Sequence, residues 1–191
     1  MSLSPEPQHR TSRVPRWILV SVALIGVAAL VLAIRHGVIV GRAKRQREDA
    51  EYYALKDIRV IFHAQREYYA NNQYLGFPCT LKVLGGMPKD GAPQTDPTST
   101  AAQLLQDDLA SGHADGYTFT LSQCTHVENV GFNGSTTYHL TAVPDHPGWS
   151  GFCVDDDVER LVPGEYTEDN PNILMDPTGG ANCTQPAPNP Q

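Results

Sequence analysis

The four cysteines carry the strongest chemical signal in this 191-residue chain. Cys79, Cys124, Cys153 and Cys183 are well separated, and no two of them form a C-x-x-C pair. Structural zinc sites usually present two close ligand pairs, which this spacing lacks. An even set of dispersed cysteines instead fits disulfide formation in an oxidising compartment. Four cysteines allow three pairings, and sequence alone does not choose among them. Other chemistry is sparse. The seven histidines form no H-x-H or H-x-x-x-H pair. Gly148-Trp149-Ser150-Gly151 is one residue short of a nucleophile elbow and reads as a turn, and Gly85-Gly86 is not followed by Lys-Ser. Asp155-Asp156-Asp157 could offer carboxylates to calcium, but neighbouring strand side chains alternate faces, so the triplet reads as a solvated hairpin turn. Asn133-Gly-Ser and Asn182-Cys-Thr match the short glycosylation pattern. Tyr52, Tyr53, Tyr68, Tyr69 and Tyr74 read as core and boundary residues of a stem rather than a stacking surface. No catalytic residue, metal or cofactor is expected, and the chain is not read as an enzyme.

Charge is divided along the chain. Residues 1–47 hold eight basic groups and one acid, whereas residues 48–191 hold six basic groups and 20 acids. A basic stretch beside apolar residues suits anionic lipid headgroups. The acidic remainder excludes nucleic acid as a partner, because phosphate binding needs a basic face. Between Trp17 and Ile34 runs WILVSVALIGVAALVLAI, 18 residues without a charge. As a helix it would be about 27 Å long, against about 30 Å of hydrocarbon. Trp17, Leu19, Val20, Val22, Leu24, Ile25, Leu30, Val31, Leu32 and Ile34 are its expected anchor residues. Arg35 and His36 follow at once with no small-residue cleavage pattern, so the run reads as a retained single-pass anchor rather than a signal peptide. Three arginines precede it and five basic groups soon follow, which by charge counting favours a cytoplasmic C-terminal part. The dispersed cysteines point the other way and are given more weight.

These residues imply a set of positioning elements. Residues 1–16 are expected to be a disordered cytoplasmic leader, 17–40 the membrane half of a stem helix, and 41–191 an extracytoplasmic domain. Within 41–72, Ala54, Ile58, Ile61 and Tyr68 recur at helical spacing, widened by Leu55, Phe62 and Tyr69. No proline lies between Arg16 and Pro78, so one helix from about Val20 to Asn71 is predicted, stopped by Asn71-Asn72 and Gly76. Residues 73–113 read as a Pro- and Gly-rich loop with a short helix over 99–111, faced by Leu104, Leu105 and Leu109. Over 114–163 the period changes to two: Tyr117, Phe119 and Leu121, then Tyr138, Leu140 and Ala142, with Asn133-Gly134 as the connecting turn. Phe152–Val154 and Val158–Val162 complete four strands, and 164–191 reads as an irregular tail. The expected class is α+β: a long N-terminal helix, half transmembrane and half amphipathic, packed on a four-stranded antiparallel sheet. Its helix–sheet core would comprise Leu55, Ile58, Ile61, Phe62, Tyr117, Phe119, Leu121, Tyr138 and Leu140.

Several segments resemble one family. FPCTLKVLGG at 77–86, STAAQLLQDDLASGHADGYTFTLS at 99–122, YHLTAVPDHPGWSGF at 138–152 and DDDVERLVP at 155–163 resemble the head of a type IV pilin or type II secretion pseudopilin. LIGVAALVLAI and AEYYALKDIRVIFHAQREYY resemble the two halves of its stem, and the likeness covers about residues 20–163. The family's processing signal, a Gly followed by Phe-Thr-Leu-Ile-Glu, is missing: no glycine precedes Gly26, and no acid lies between Glu6 and Glu48. The resemblance implies disulfides Cys79–Cys124, closing the end of the stem onto the first strand, and Cys153–Cys183, holding the tail. It implies a pilin-like structural or interaction protein, a subunit or accessory of a type IV filament or type II secretion pseudopilus in the bacterial inner membrane, with a periplasmic or extracellular head. Its partners would be membrane lipid, other pilin-like subunits and the inner-membrane assembly platform. The missing signal leaves an alternative, a membrane-tethered binding module that does not polymerise.

Overall fold

A computed structural model describes residues 16–87, 96–157 and 171–188; for residues 16–26, 28 and 157 it describes the backbone only. The expected leader before Arg16, the strand over Val158–Val162 and the tail residues up to 170 lie outside the described residues. The chain divides into two compact units, residues 1–46 and 47–191.

A 56-residue helix, α1 (Arg16–Asn71), contributes to both units. In the first unit its apolar side chains are exposed, from Val27 at 61% through Leu32 at 67% to Val40 at 54%. The expected membrane-spanning half is corrected here: among the described residues no helix is long and apolar enough to cross a membrane. From residue 29 onward the apolar positions are soon interrupted by Arg35, Arg42, Lys44 and Arg45. The side chains of Trp17, Leu19, Val20, Val22, Leu24 and Ile25 lie outside the described residues.

In the second unit α1 becomes amphipathic. Ala50, Ala54, Ile58, Ile61, Gln65 and Tyr68 are buried, at steps of three and four that keep one face inward. Leu55, Phe62 and Ala64 widen that face. The Asn72 backbone amide and side-chain amide both donate to Tyr68 O, at 2.9 and 3.0 Å, at the end of the helix. Beyond it, α2 (Leu81–Leu84) buries Leu81 and Leu84. The helix expected over 99–111 is shorter: α3 covers Asp107–Ser111. Upstream, Gln103 is held at φ 59°. The amides of Ala102, Gln103, Leu104 and Leu105 donate to carbonyls of Val83, Leu84 and Gly85, which removes them from any helix. Gly112 then closes α3 in the left-handed region at φ 86°.

Among the described residues eight strands follow: β1 (His113–Ala114), β2 (Tyr117–Ser122), β3 (His126–Asn129), β4 (Phe132–Ser135), β5 (Thr137–Pro144), β6 (Gly151–Asp157), β7 (Leu174–Asp176) and β8 (Gln185–Pro186). The four-stranded expectation is therefore corrected to a six-stranded sheet, ordered β1-β2-β5-β6-β7-β8, and a separate β3–β4 pair. All pairings are antiparallel. Asp115-Gly116, both at positive φ, make a two-residue hairpin that adds β1. The stretch expected to be irregular supplies β7 and β8. Asn133-Gly134 is not a turn but lies within β4, and Val130-Gly131 makes the hairpin instead. Gly134 lies so close to the Leu75 carbonyl that a Cβ there would collide with it.

Asp155-Asp156-Asp157 likewise belongs to β6, paired with His139, Tyr138 and Thr137 of β5. Alternation buries Asp156 and exposes Asp155. The same period turns Tyr117 and Phe119 of β2, Tyr138, Leu140 and Ala142 of β5, and Phe152 and Val154 of β6 into one hydrophobic cluster with Leu55, Ile58, Ile61 and Phe62 of α1. Leu121 sits half-buried against that cluster.

Candidate functional site

Two covalent links fix the second unit. Cys79 is joined to Cys124, 45 residues away, with Cα atoms 6.1 Å apart. Cys153 is joined to Cys183, 30 residues away, with Cα atoms 5.9 Å apart. The first ties the segment after α1 to the end of β2, and the second ties β6 to the loop between β7 and β8. Closing loops of this size removes chain entropy worth about 3–4 kcal/mol each on the polymer model. Disulfide bonds place the domain in an oxidising, extracytoplasmic setting.

Polar ties reinforce the α1–sheet contact. The Arg66 guanidinium donates to both oxygens of the buried Asp156, at 3.0 and 3.4 Å, and lies 4.4 Å from the Phe62 ring centroid. Tyr138 is 2% exposed and its hydroxyl has no hydrogen-bond partner among the described residues. Burial and then the Asp156 charge push that phenol well above its ordinary range. Towards the start of this unit, Glu51 Oε1 accepts from Arg47 Nε at 2.8 Å and from the Ser150 amide at 2.9 Å. The Ser150 hydroxyl bonds Arg47 at 3.2 Å, and its carbonyl accepts from Tyr117 Oη at 3.0 Å. Burial, then the Glu51 charge, raise the Tyr117 phenol far out of reach of physiological pH. Arg47 and Glu51 of α1 thus hold the hydroxyl and the amide of Ser150 and anchor its loop to the helix.

Two carboxyl groups contrast. Asp176 accepts from the Thr178 hydroxyl at 2.6 Å, the Thr178 amide at 2.9 Å and the Asn182 amide at 3.1 Å. Those donors, led by the Thr178 hydroxyl, hold its carboxyl below the usual range. Asp57 on α1 is pushed up to about 6, first by burial and then by Asp115 and Asp108, with Lys56 pulling the other way.

The large apolar side chains exposed among the described residues fall into two groups. In the first unit Val27, Leu30, Val31, Leu32, Ile34, Val38, Ile39 and Val40 are each 47–67% exposed. In the second, Tyr52, Tyr53 and Val60 line the outer side of α1, and Tyr74 at 73% and Val130 at the β3–β4 tip stand clear of the core. A groove of about 310 Å³ lies between Leu55 and Arg59 of α1 and the segments Pro171–Ile173 and Pro186–Pro188. Among the described residues no three His, Cys, Asp or Glu side chains are grouped to hold a metal ion.

The expected residues therefore divide. The nine core positions and the four cysteines come together in the second unit, whereas Leu30, Val31, Leu32 and Ile34 remain exposed in the first. Sequence reasoning missed the β3–β4 hairpin and the Asp176 cage. Asp115-Gly116 and Val130-Gly131 were the available turn signals; Asp176 offered none, because its donors are mostly backbone amides. No protein-family model, no curated protein and no solved structure matches this chain.

Proposed function

We propose that the chain is a structural or interaction protein, acting as a subunit or accessory of a type IV filament or type II secretion pseudopilus. The observation that carries this reading is the apolar surface of α1 between Val27 and Val40, eight large side chains exposed on one short length of helix. Contiguous exposed apolar surface of this kind marks contact with lipid or with another protein. The basic groups of residues 35–47 would sit against anionic headgroups, and the disulfide-held domain would be presented in an oxidising compartment. The resemblance of residues 77–86, 99–122 and 138–163 to pilin heads supplies the choice among interaction proteins. A second reading, a tethered binding module that does not polymerise, is favoured by the absence of any acid between Glu6 and Glu48.

Immunoblots of cells with and without a prepilin peptidase separate the two. A size shift dependent on the peptidase, together with recovery of the chain in sheared filaments, supports the first reading. An unchanged size with all protein in the membrane fraction supports the second, and recovery of a freely soluble chain would overturn both.

A further inference from the structure

We propose that the outer edge of β3 pairs antiparallel with the same edge of a second copy of this chain, about a two-fold axis at Val127. Ser135 O accepts from the Phe77 amide and the Asn133 amide donates to Tyr74 O, both at 2.8 Å. Residues 133 and 135 of β4 thus turn their backbone groups away from β3. In an antiparallel ladder, opposite residues either both bond across it or both face outward. Ser135 lies opposite His126, and Asn133 opposite Glu128, so His126 and Glu128 direct their N–H and C=O groups outward. No other strand among the described residues covers them, and both side chains are exposed.

The other sheet edges are blunted. The six-stranded sheet ends in β1 and β8, each two residues long, and β8 contains Pro186. By contrast β3 has four residues, His-Val-Glu-Asn, with no proline, glycine or lysine to discourage pairing.

Register then identifies the occupant. Outward residues must meet outward residues. Pairing His126 with its own copy sets imidazole on imidazole, and pairing Glu128 with its own copy sets carboxylate on carboxylate. The register centred on Val127 instead places each His126 opposite Glu128 of the second copy and uses all four outward N–H and C=O pairs. Val127 meets Val127 on the other face. The edge is self-complementary in this one register, which is the requirement of a two-fold contact. Four backbone bonds and two side-chain pairs make a weak interface, so covalent trapping is the suitable readout.

The test uses the full chain in detergent solution, with Val127→Cys. The four native cysteines are all in disulfides, so the new thiol is the free one. Directly opposed positions in a non-hydrogen-bonded pair fall within disulfide reach. Mild oxidation should trap a dimer at least tenfold faster than for Asn129→Cys, whose counterpart lies out of reach, with peptide mapping showing that the two introduced thiols are joined to each other. Adding Glu128→Pro should return the rate to the Asn129→Cys level. That proline removes an outward N–H and leaves the β3–β4 ladder intact. Glu128→Lys should also slow trapping, and His126→Glu added to it should restore the rate, which guards against a proline variant that fails to fold. Equal rates for Val127→Cys and Asn129→Cys, trapping on a different polypeptide, or a rate indifferent to the charge swap would each overturn the proposal.

Discussion

Residues 27–40 and 50–68 of α1 have the same backbone and opposite fates. In the first stretch, Leu32 and Ile39 are 67% and 65% exposed; in the second, Ala54, Ile58 and Ile61 are 0% exposed. Hydrophobicity alone does not separate them. The first places apolar residues at consecutive positions, right around the helix, so no single face could bury them all. The second places them at steps of three and four, with Asp57, Arg59 and Glu67 on the other sides. The periodic stripe is covered by the sheet of its own chain, whereas the run spread around the helix stays exposed.

Four substitutions test whether the two stretches of α1 differ in this way. The largest effect is expected from Arg66→Ala, which takes the guanidinium from a carboxylate whose side chain is 2% exposed. A loss of about 4 kcal/mol in chemical denaturation is expected, as for other buried pairs cut on one side. Next, Ile58→Ala empties a fully buried position on the stripe and should cost about 3 kcal/mol by the same measurement.

Asp57→Asn should act in the opposite direction. The folded carboxyl titrates near 6, above its reference value of 3.8. The native state therefore holds the proton more tightly, and this group's contribution to stability is fully present below about pH 4 and is lost as pH rises through about 6. The asparagine variant should lose this slope and gain about 1 kcal/mol at pH 8, less than the unscreened shift implies because part of the carboxyl meets solvent. Thermal melts of both proteins from pH 4 to pH 8 would show it; parallel curves would refute it. The smallest effect on folding is expected from Leu32→Ser, within about 0.5 kcal/mol, together with weaker flotation on anionic vesicles. A large loss of stability would show that the exposed run is buried against protein after all.

Much of the second unit was legible in the sequence because its periods are clean. Ile58 and Ile61 announce a helix face, and Tyr117 with Phe119 announces a strand face. The errors came where a short signal had two outcomes. Asn133-Gly134 reads as a hairpin turn, but Val130-Gly131 closes the hairpin three residues earlier. Gly134 is needed instead for the close approach of Leu75. The acidic triplet at 155–157 reads as a turn because three adjacent carboxylates suggest solvent. Arg66, distant by 90 residues, makes burial of the middle one affordable. The helix expected from Ser99 is displaced because backbone carbonyls of α2 compete for its amides, a tertiary effect that local propensity does not encode. The Asp176 cage is equally silent, since a loop conformation, rather than a residue pattern, supplies most of its donors.

The order of strands in the six-stranded sheet also has a consequence for synthesis. The stripe of α1 is complete once Tyr68 has been made, yet the strands that cover it begin only at Tyr117, and the central strand β5 gains its second neighbour only with β6. At about 5–20 residues per second, the 49-residue interval leaves the stripe uncovered for roughly 2–10 s on every nascent chain. During translation, Ile58, Ile61 and Phe62 are therefore the residues that a ribosome-associated chaperone or targeting factor would encounter as a ready-made greasy face.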